Sequence, residues 1–80
     1  MSNKILIADD SKLVVTLIKS IFEGLNEGHT VVSATDGKQA IEIAINEQPE
    51  IILMDWQMPV MSGIEALKAL KLNENTKRIL

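Results

Sequence analysis

Residues Ile51 to Gly63 read IILMDWQMPVMSG. Four apolar residues in succession, Ile51 to Met54, predict a strand that is buried on both faces, as in the centre of a parallel sheet. The run stops at Asp55, and Pro59 and Gly63 then predict a turn. Open α/β sheets bind ligands beyond the carboxyl ends of their strands, so Asp55 is a candidate site residue.

A second apolar run, residues 4–8 (KILIA), ends in Asp9 and Asp10. Two adjacent parallel strands would bring these carboxylates to the same edge as Asp55, because neighbouring strands lie about 4.8 Å apart. Like charges at that spacing favour a cation, and a few rigidly placed oxygen ligands suit Mg²⁺. Asp55 could then act as a nucleophile toward phosphorus. The alternative interpretation is that Asp9 and Asp10 cap a helix and that Asp55 is a turn residue.

Composition narrows the class of protein. The chain has 80 residues, a net charge of −3 and no cysteine, which excludes disulfides and thiolate metal sites. The basic residues form no stripe, so charge alone gives no support for nucleic-acid binding. No leader pattern precedes Ile5 and no apolar run approaches the length of a membrane span, so we expect a soluble cytoplasmic domain.

Strand and helix patterns alternate along the chain, which predicts right-handed βαβ crossovers and a parallel sheet. The first helix follows a cap at Asp10 or Ser11, residues 30–34 form an edge strand, and Thr35 or Asp36 caps a second helix that ends at Pro49. A third helix begins near Ser62 or Gly63. The predicted inward positions are Leu13, Val14, Leu17, Ile18, Ile21, Phe22 and Leu25 in the first helix, Ala40, Ile41, Ala44 and Ile45 in the second, and Ile64, Leu67 and Leu70 in the third.

With these motifs in this order, the chain resembles the receiver domain of two-component response regulators. The matching motifs are Asp9-Asp10, Asp36-Gly37 with Ala40, Asp55, Met58-Pro59 and Ser62-Gly63. The resemblance implies an α/β fold, the flavodoxin-like doubly wound parallel sheet, with strand order 2-1-3 over this portion.

The same resemblance implies roles for individual residues. Asp55 would be the phosphoacceptor and also a Mg²⁺ ligand, and Asp10 would be a direct Mg²⁺ ligand. Asp9 would hold the ion through water, and the backbone carbonyl of Gln57 would be a further ligand. The phosphodonor would be a phosphohistidine on a sensor histidine kinase or phosphotransfer protein, or a small acyl phosphate. Such a domain takes part in its own phosphotransfer and is not a turnover enzyme.

The chain departs from the family in length. A whole receiver continues beyond a fourth strand, of which Arg78-Ile79-Leu80 would be only the start, and includes a hydroxyl residue and a lysine that contact the phosphoryl group. We therefore expect residues 1–80 to be a single, C-terminally truncated receiver domain with impaired phosphorylation. Its strand edge at Ile51 to Met54 is expected to drive self-association.

Two other functions are compatible with the sequence. One is a non-catalytic folding or self-association fragment whose acidic site is vestigial. The other is a Mg²⁺-dependent phosphohydrolase with an aspartyl nucleophile. That class usually has an acid two residues after the nucleophile, and Gln57 occupies this position here.

Overall fold

Strands and helices alternate from one end of the chain to the other. The structure, a computed structural model, describes residues 4–24, 28–55 and 58–79. The elements are β1 (Lys4–Ala8), α1 (Lys12–Gly24), β2 (Thr30–Ala34), α2 (Gly37–Glu47), β3 (Ile51–Met54) and α3 (Gly63–Leu72). None of the described helices combines the length and the apolar character needed to cross a membrane.

The three strands form one parallel sheet in the order β2-β1-β3. Ile5 pairs with Val31 on one side and with Ile51 on the other. This arrangement confirms the predicted α/β fold and the order 2-1-3, with β2 at an edge. Parallel neighbours require crossover connections, and the helices supply them.

Helices cover both faces of this sheet. Leu6 and Ala8 belong to a buried cluster with Ala40 and Ala44 of α2, and Leu70 of α3 joins the same cluster. The alternate residue Ile7 faces the other way, because successive side chains of a strand point to opposite faces. There it lines a hollow together with Ile18 of α1 and Leu53 of β3. The sheet is therefore doubly wound, as predicted.

The strand that is buried on both faces is β1, whose residues Ile5 to Ala8 are at most 2% exposed. All four residues of β3 are only half-buried. The interpretation of Ile51 to Met54 as a strand buried on both faces is therefore wrong for this chain, whereas the expectation that these residues form a strand edge agrees with the described sheet. Within the described sheet, β3 has a hydrogen-bonded partner only on the side of β1, so its other edge is uncovered.

Polar side chains cap all three helices. The Ser11 hydroxyl accepts the N–H of Val14 (3.3 Å) at the start of α1. Asp36 accepts the N–H of Gln39 (2.8 Å) at the start of α2. Ser62 and Glu65 form a capping box at α3. Of the alternative caps that the sequence offered, the structure selects Ser11, Asp36 and Ser62.

Several apolar positions predicted to face inward are instead exposed. In α1, which contains no buried residue, Leu13, Leu17 and Ile21 are 70%, 56% and 63% exposed. In α3, Ile64 and Leu67 are exposed, whereas Leu70 is buried. Helical periodicity identified an apolar face on each helix. On α1 and α3, however, the three strands of the described sheet cover only part of that face. Leu25, the last predicted position of α1, lies outside the described residues.

The segment after α3 folds back on that helix. Thr76 is 1% exposed, and its hydroxyl donates to the carbonyl of Leu70 (2.7 Å) in the last turn of α3. Arg78 and Ile79 do not form a strand, and Leu80 lies outside the described residues. In the described part, the predicted start of a fourth strand is therefore a turn against α3, because Thr76 and Ile79 are held by hydrogen bonds to the preceding turns.

Candidate functional site

Two acidic residues directly follow the carboxyl ends of adjacent strands. The N–H of Asp55 donates to the carbonyl of Ala8 (2.9 Å), and the N–H of Asp9 donates to the carbonyl of Ala34 (3.0 Å). These bonds extend the hydrogen bonding between neighbouring strands by one residue beyond the ends of β3 and β1. The sheet thereby fixes the backbone of Asp9 and Asp55 at the same edge.

Carboxylate oxygens of Asp9, Asp10 and Asp55 all lie within 4.8 Å of one another. We call these three residues the acidic cluster. Asp10 is exposed, while Asp9 and Asp55 are half-buried, so water reaches the cluster. One oxygen of Asp9 also accepts the N–H of Ser11 (2.9 Å), which orients this carboxylate from the start of α1. The structure thus brings together three of the four predicted metal-site residues, and the fourth, Gln57, lies outside the described residues.

The donor set is compatible with Mg²⁺. An octahedral ion with bonds of about 2.1 Å places its most distant ligands about 4.2 Å apart. The 4.8 Å limit on the carboxylate oxygens is slightly wider than this. Three hard oxygen donors at this spacing fit the ion if one of them binds through water, which suits a cation that retains several waters.

The loop after Asp55, residues 58–62, has an unusual backbone. Val60 has a φ of 68°, in the left-handed region that β-branched residues rarely adopt. The N–H of Met61 donates to the carbonyl of Pro59 (2.7 Å), which closes a three-residue turn around Val60. The carbonyl of Met61 accepts the N–H of Gly37 (3.0 Å) at the start of α2. The sequence motif Asp36-Gly37 pointed to α2, but it did not reveal this contact with the loop.

A mainly apolar cavity of about 300 Å³ opens beside Asp55, between β3 and α3. Its lining includes Ile52, Met54, Ile64, Leu67 and Ile79. It therefore lies along the edge of β3 that has no partner in the described sheet.

The lysines whose bonds the structure records are engaged away from the acidic cluster. Lys71 lines the same cavity as Asp55, but its Nζ donates to the carbonyls of Lys77 (3.3 Å) and Ile79 (3.1 Å). Lys4 pairs with Glu47 (2.9 Å). The amines of Lys71 and Lys4 therefore bond to groups outside the acidic cluster.

Comparison with known proteins gives one consistent family. The family model described as the response regulator receiver domain matches residues 5–80. The chain is 36% identical over 80 residues to sporulation initiation phosphotransferase F of Bacillus subtilis (strain 168), covering all of this chain and 63% of that protein. It is 42% identical over 79 residues to the transcriptional regulatory protein YdfI of the same organism, covering 98% of this chain and 37% of that protein.

Solved structures show the same similarity. The receiver domain of a sensor histidine kinase from Pseudomonas aeruginosa PAO1, with a magnesium ion coordinated in its active site cleft, superposes with a TM-score of 0.89 at 30% identity. That alignment covers 99% of this chain and 63% of the other. The chemotaxis response regulator CheY4 of Vibrio cholerae also gives a TM-score of 0.89, at 29% identity over 99% of this chain and 64% of the other. The chain thus spans less than two thirds of the length of these relatives.

Proposed function

Because this chain belongs to the response regulator receiver domain family, we propose that Asp55 accepts a phosphoryl group in the presence of Mg²⁺. Receiver domains are signalling phosphoacceptors, mostly not enzymes, and they interact with histidine kinases or phosphotransfer proteins. The observation that carries the proposal is the acidic cluster, three carboxylates within 4.8 Å at the carboxyl ends of two adjacent strands.

Each residue of the cluster has a separate part in the proposal. Asp10 and Asp55 would bind Mg²⁺ directly, Asp9 would hold it through water, and the carbonyl of Gln57 would complete the protein ligands. When bound, Mg²⁺ offsets negative charge on the phosphoryl oxygens and on the carboxylates that surround them. The hydrogen bond from Ser11 supports the indirect role of Asp9, since one of its oxygens is already engaged (2.9 Å).

The chemical step is a nucleophilic displacement at phosphorus. A carboxylate oxygen of Asp55 forms the new O–P bond while the N–P bond of a phosphohistidine breaks, and the departing imidazole nitrogen takes up a proton. With a small acyl phosphate, an O–P bond breaks and a carboxylate departs. Asp55 is suited to this attack because its backbone is held by the carbonyl of Ala8 (2.9 Å) while its side chain remains partly accessible.

We expect phosphorylation to be slow when these 80 residues are tested alone. Lys71, which lines the cavity beside Asp55, donates its Nζ to backbone carbonyls. A group that stabilises charge in a transition state changes a rate by about 10²–10³-fold.

Incubation with acetyl phosphate and Mg²⁺, followed by intact mass spectrometry, tests the proposal. We expect the wild type to gain one phosphoryl group and Asp55→Asn to gain none. Glu42→Gln, which removes a carboxylate from the exposed side of α2, is the control and should be phosphorylated like the wild type. Retention of the label in Asp55→Asn, or no gain in the wild type, contradicts the assignment.

The uncovered edge of β3 supports a second proposal, self-association of this chain. The cavity along this edge is mainly apolar, and Leu67 beside it is 51% exposed. A second copy that pairs along β3 would cover both features, and two-fold dimers are the commonest closed assembly.

Light scattering coupled to size exclusion, over a range of protein concentrations, tests this association. Leu67→Lys should shift the chain toward the monomer, whereas Leu17→Lys, at a similarly exposed position of α1 (56%), should not. A monomeric wild type at all concentrations contradicts self-association. Equal dissociation by both substitutions contradicts the β3 edge as its location.

A further inference from the structure

The start of α2 is in direct contact with the loop that follows Asp55. Gly37 is buried, and its N–H donates to the carbonyl of Met61 (3.0 Å). The helix behind this contact is firmly placed, because Ala40 and Ala44 are completely buried against the sheet. The 58–62 loop is thus attached to a fixed helix end.

Only glycine fits this contact. A Cβ built at Gly37 would lie 2.5 Å from the carbonyl oxygen of Met61 and 2.9 Å from both its Cβ and its Cγ. Two of these three atoms, the carbonyl oxygen and the Cβ, cannot move without the backbone. Since Ala40 and Ala44 hold the helix, the loop is the element that must shift.

The loop is strained where it meets this helix end. Val60 has a φ of 68°, and the bond from Met61 N–H to the Pro59 carbonyl closes the turn at 2.7 Å. Such a turn is unfavourable by itself and persists only where surrounding contacts hold it. The Gly37–Met61 hydrogen bond is a contact of this kind.

Both ends of the span between Asp55 and Met61 are therefore fixed. Asp55 is bonded to β1 through Ala8 (2.9 Å), and Met61 is bonded to α2 through Gly37 (3.0 Å). Asp55 belongs to the acidic cluster, and Met61 follows it by only six residues. A displacement of Met61 is therefore expected to change how Asp55 presents its carboxylate.

We propose that Gly37 is a positioning residue for the acidic cluster, acting through Met61. This inference rests on the proposed function, because it concerns the affinity of the same site for Mg²⁺. Gly37 is not itself one of the proposed Mg²⁺ ligands. Its lack of a side chain lets α2 hold the 58–62 loop in the conformation that presents the site.

A matched pair of glycine substitutions tests the inference. In Gly37→Ala the added methyl group meets Met61, whereas in Gly24→Ala, at the end of α1, it meets nothing within 4 Å. Mg²⁺ is titrated against the fluorescence of Trp56, the single tryptophan of the chain. We expect the Kd of Gly37→Ala to weaken by roughly 10–100-fold, as for other residues that orient metal ligands, and that of Gly24→Ala to match the wild type.

A purely structural role would give a different result. Titrations are made well below the Tm of each variant, which is measured by circular dichroism without Mg²⁺. A lower Tm with an unchanged Kd in Gly37→Ala would overturn the inference and leave the proposed function intact. Absence of any Mg²⁺ response in the wild type would overturn both.

A measurement on the wild type covers the case in which Gly37→Ala does not fold. Coupling between two sites is reciprocal, so Mg²⁺ must also stabilise the Gly37–Met61 bond. Amide hydrogen exchange at Gly37 should slow on Mg²⁺ saturation by more than exchange at Gln48, whose N–H bonds to Ala44 at the other end of α2 (3.1 Å). Equal slowing at both amides would overturn the inference.

Discussion

Replacing Asp10 with asparagine removes one charge from the acidic cluster and leaves the side chain almost unchanged in shape. Asp10 is exposed, so the substitution disturbs no packing. We expect Asp10→Asn to be more stable than the wild type without Mg²⁺ and less stable than the wild type at saturating Mg²⁺. Without Mg²⁺, the substitution removes repulsion between the carboxylates. With Mg²⁺, it removes the charge of a residue that we propose as a direct ligand.

The gain in stability that we expect for Asp10→Asn without Mg²⁺ can be estimated from the distance between the carboxylates. Asp9 and Asp10 are neighbours in sequence, so their repulsion is present in the unfolded chain as well. Only the repulsion between Asp10 and Asp55 is created by folding. Oxygens of these two residues lie within 4.8 Å of each other, and two unit charges at that distance in bulk water repel by about 0.9 kcal/mol. At an ionic strength of about 0.15 M, screening over about 8 Å reduces this value to roughly half.

The lower stability that we expect for Asp10→Asn at saturating Mg²⁺ depends on the affinity of the site for the ion. A ligand present at 100 times its Kd stabilises the folded state by about 2.7 kcal/mol. The wild type should gain this amount, and Asp10→Asn, measured at the same Mg²⁺ concentration, should gain much less. For a domain of this size, each 1 kcal/mol corresponds to a Tm change of about 4–8 °C.

Urea denaturation followed by circular dichroism is the appropriate assay, because urea is uncharged and does not screen the cluster. The free energy of unfolding is measured with EDTA at low and at physiological ionic strength, and then with Mg²⁺. Glu42→Gln, which also removes one negative charge, is the control. If Asp10→Asn is no more stable than the wild type at low salt, and gains as much from Mg²⁺, then the carboxylates do not interact as the structure places them.

Three further predictions concern stability, each measured by urea denaturation. Ser62→Ala removes the capping box of α3 and should cost about 1 kcal/mol, and a loss below about 0.3 kcal/mol would contradict the cap. Thr76→Val removes the buried hydroxyl that donates to the carbonyl of Leu70 at 2.7 Å, while the N–H of Asn73 still donates to it (3.3 Å), and should cost about 0.5–1.5 kcal/mol; an unchanged midpoint would contradict the hydroxyl bond. Leu6→Ala, at a fully buried position, should cost about 2–5 kcal/mol, whereas Leu17→Ala, 56% exposed, should change stability by about 0.5 kcal/mol or less; similar losses for both would contradict the burial pattern.

Local sequence signals identified the elements of this fold. The apolar runs at residues 4–8 and 51–54 and the β-rich run at residues 30–34 became the three strands, and the polar residues Ser11, Asp36 and Ser62 became the helix caps. These features depend on neighbours in sequence, since a cap bonds to an N–H only two or three residues away. The acids at the strand ends could also be predicted locally, because Asp9 and Asp55 directly follow an apolar run in the sequence.

The burial of each strand and helix could not be predicted from such local sequence signals. The run at residues 51–54 is as apolar as the run at residues 4–8, yet β1 is buried and β3 is half-buried. The difference arises because β1 has a strand on each side and β3 has one only on the side of β1 in the described sheet. Likewise, the apolar face of α1 was predicted correctly as a face, but Leu13, Leu17 and Ile21 remain exposed.

The sequence by itself determined which residues form the acidic cluster, because parallel strands bring their carboxyl ends to one edge whatever the details of packing. Only the tertiary structure decided how the loop after Asp55 is held. The N–H of Gly37 donates to the carbonyl of Met61, 24 positions later in the sequence, at 3.0 Å. Val60, the residue before Met61, has its positive φ in the loop that this bond holds. Neither secondary-structure propensity nor the periodicity of apolar residues predicts such a contact. It depends on how closely the start of α2 approaches the loop once the helix packs on the sheet.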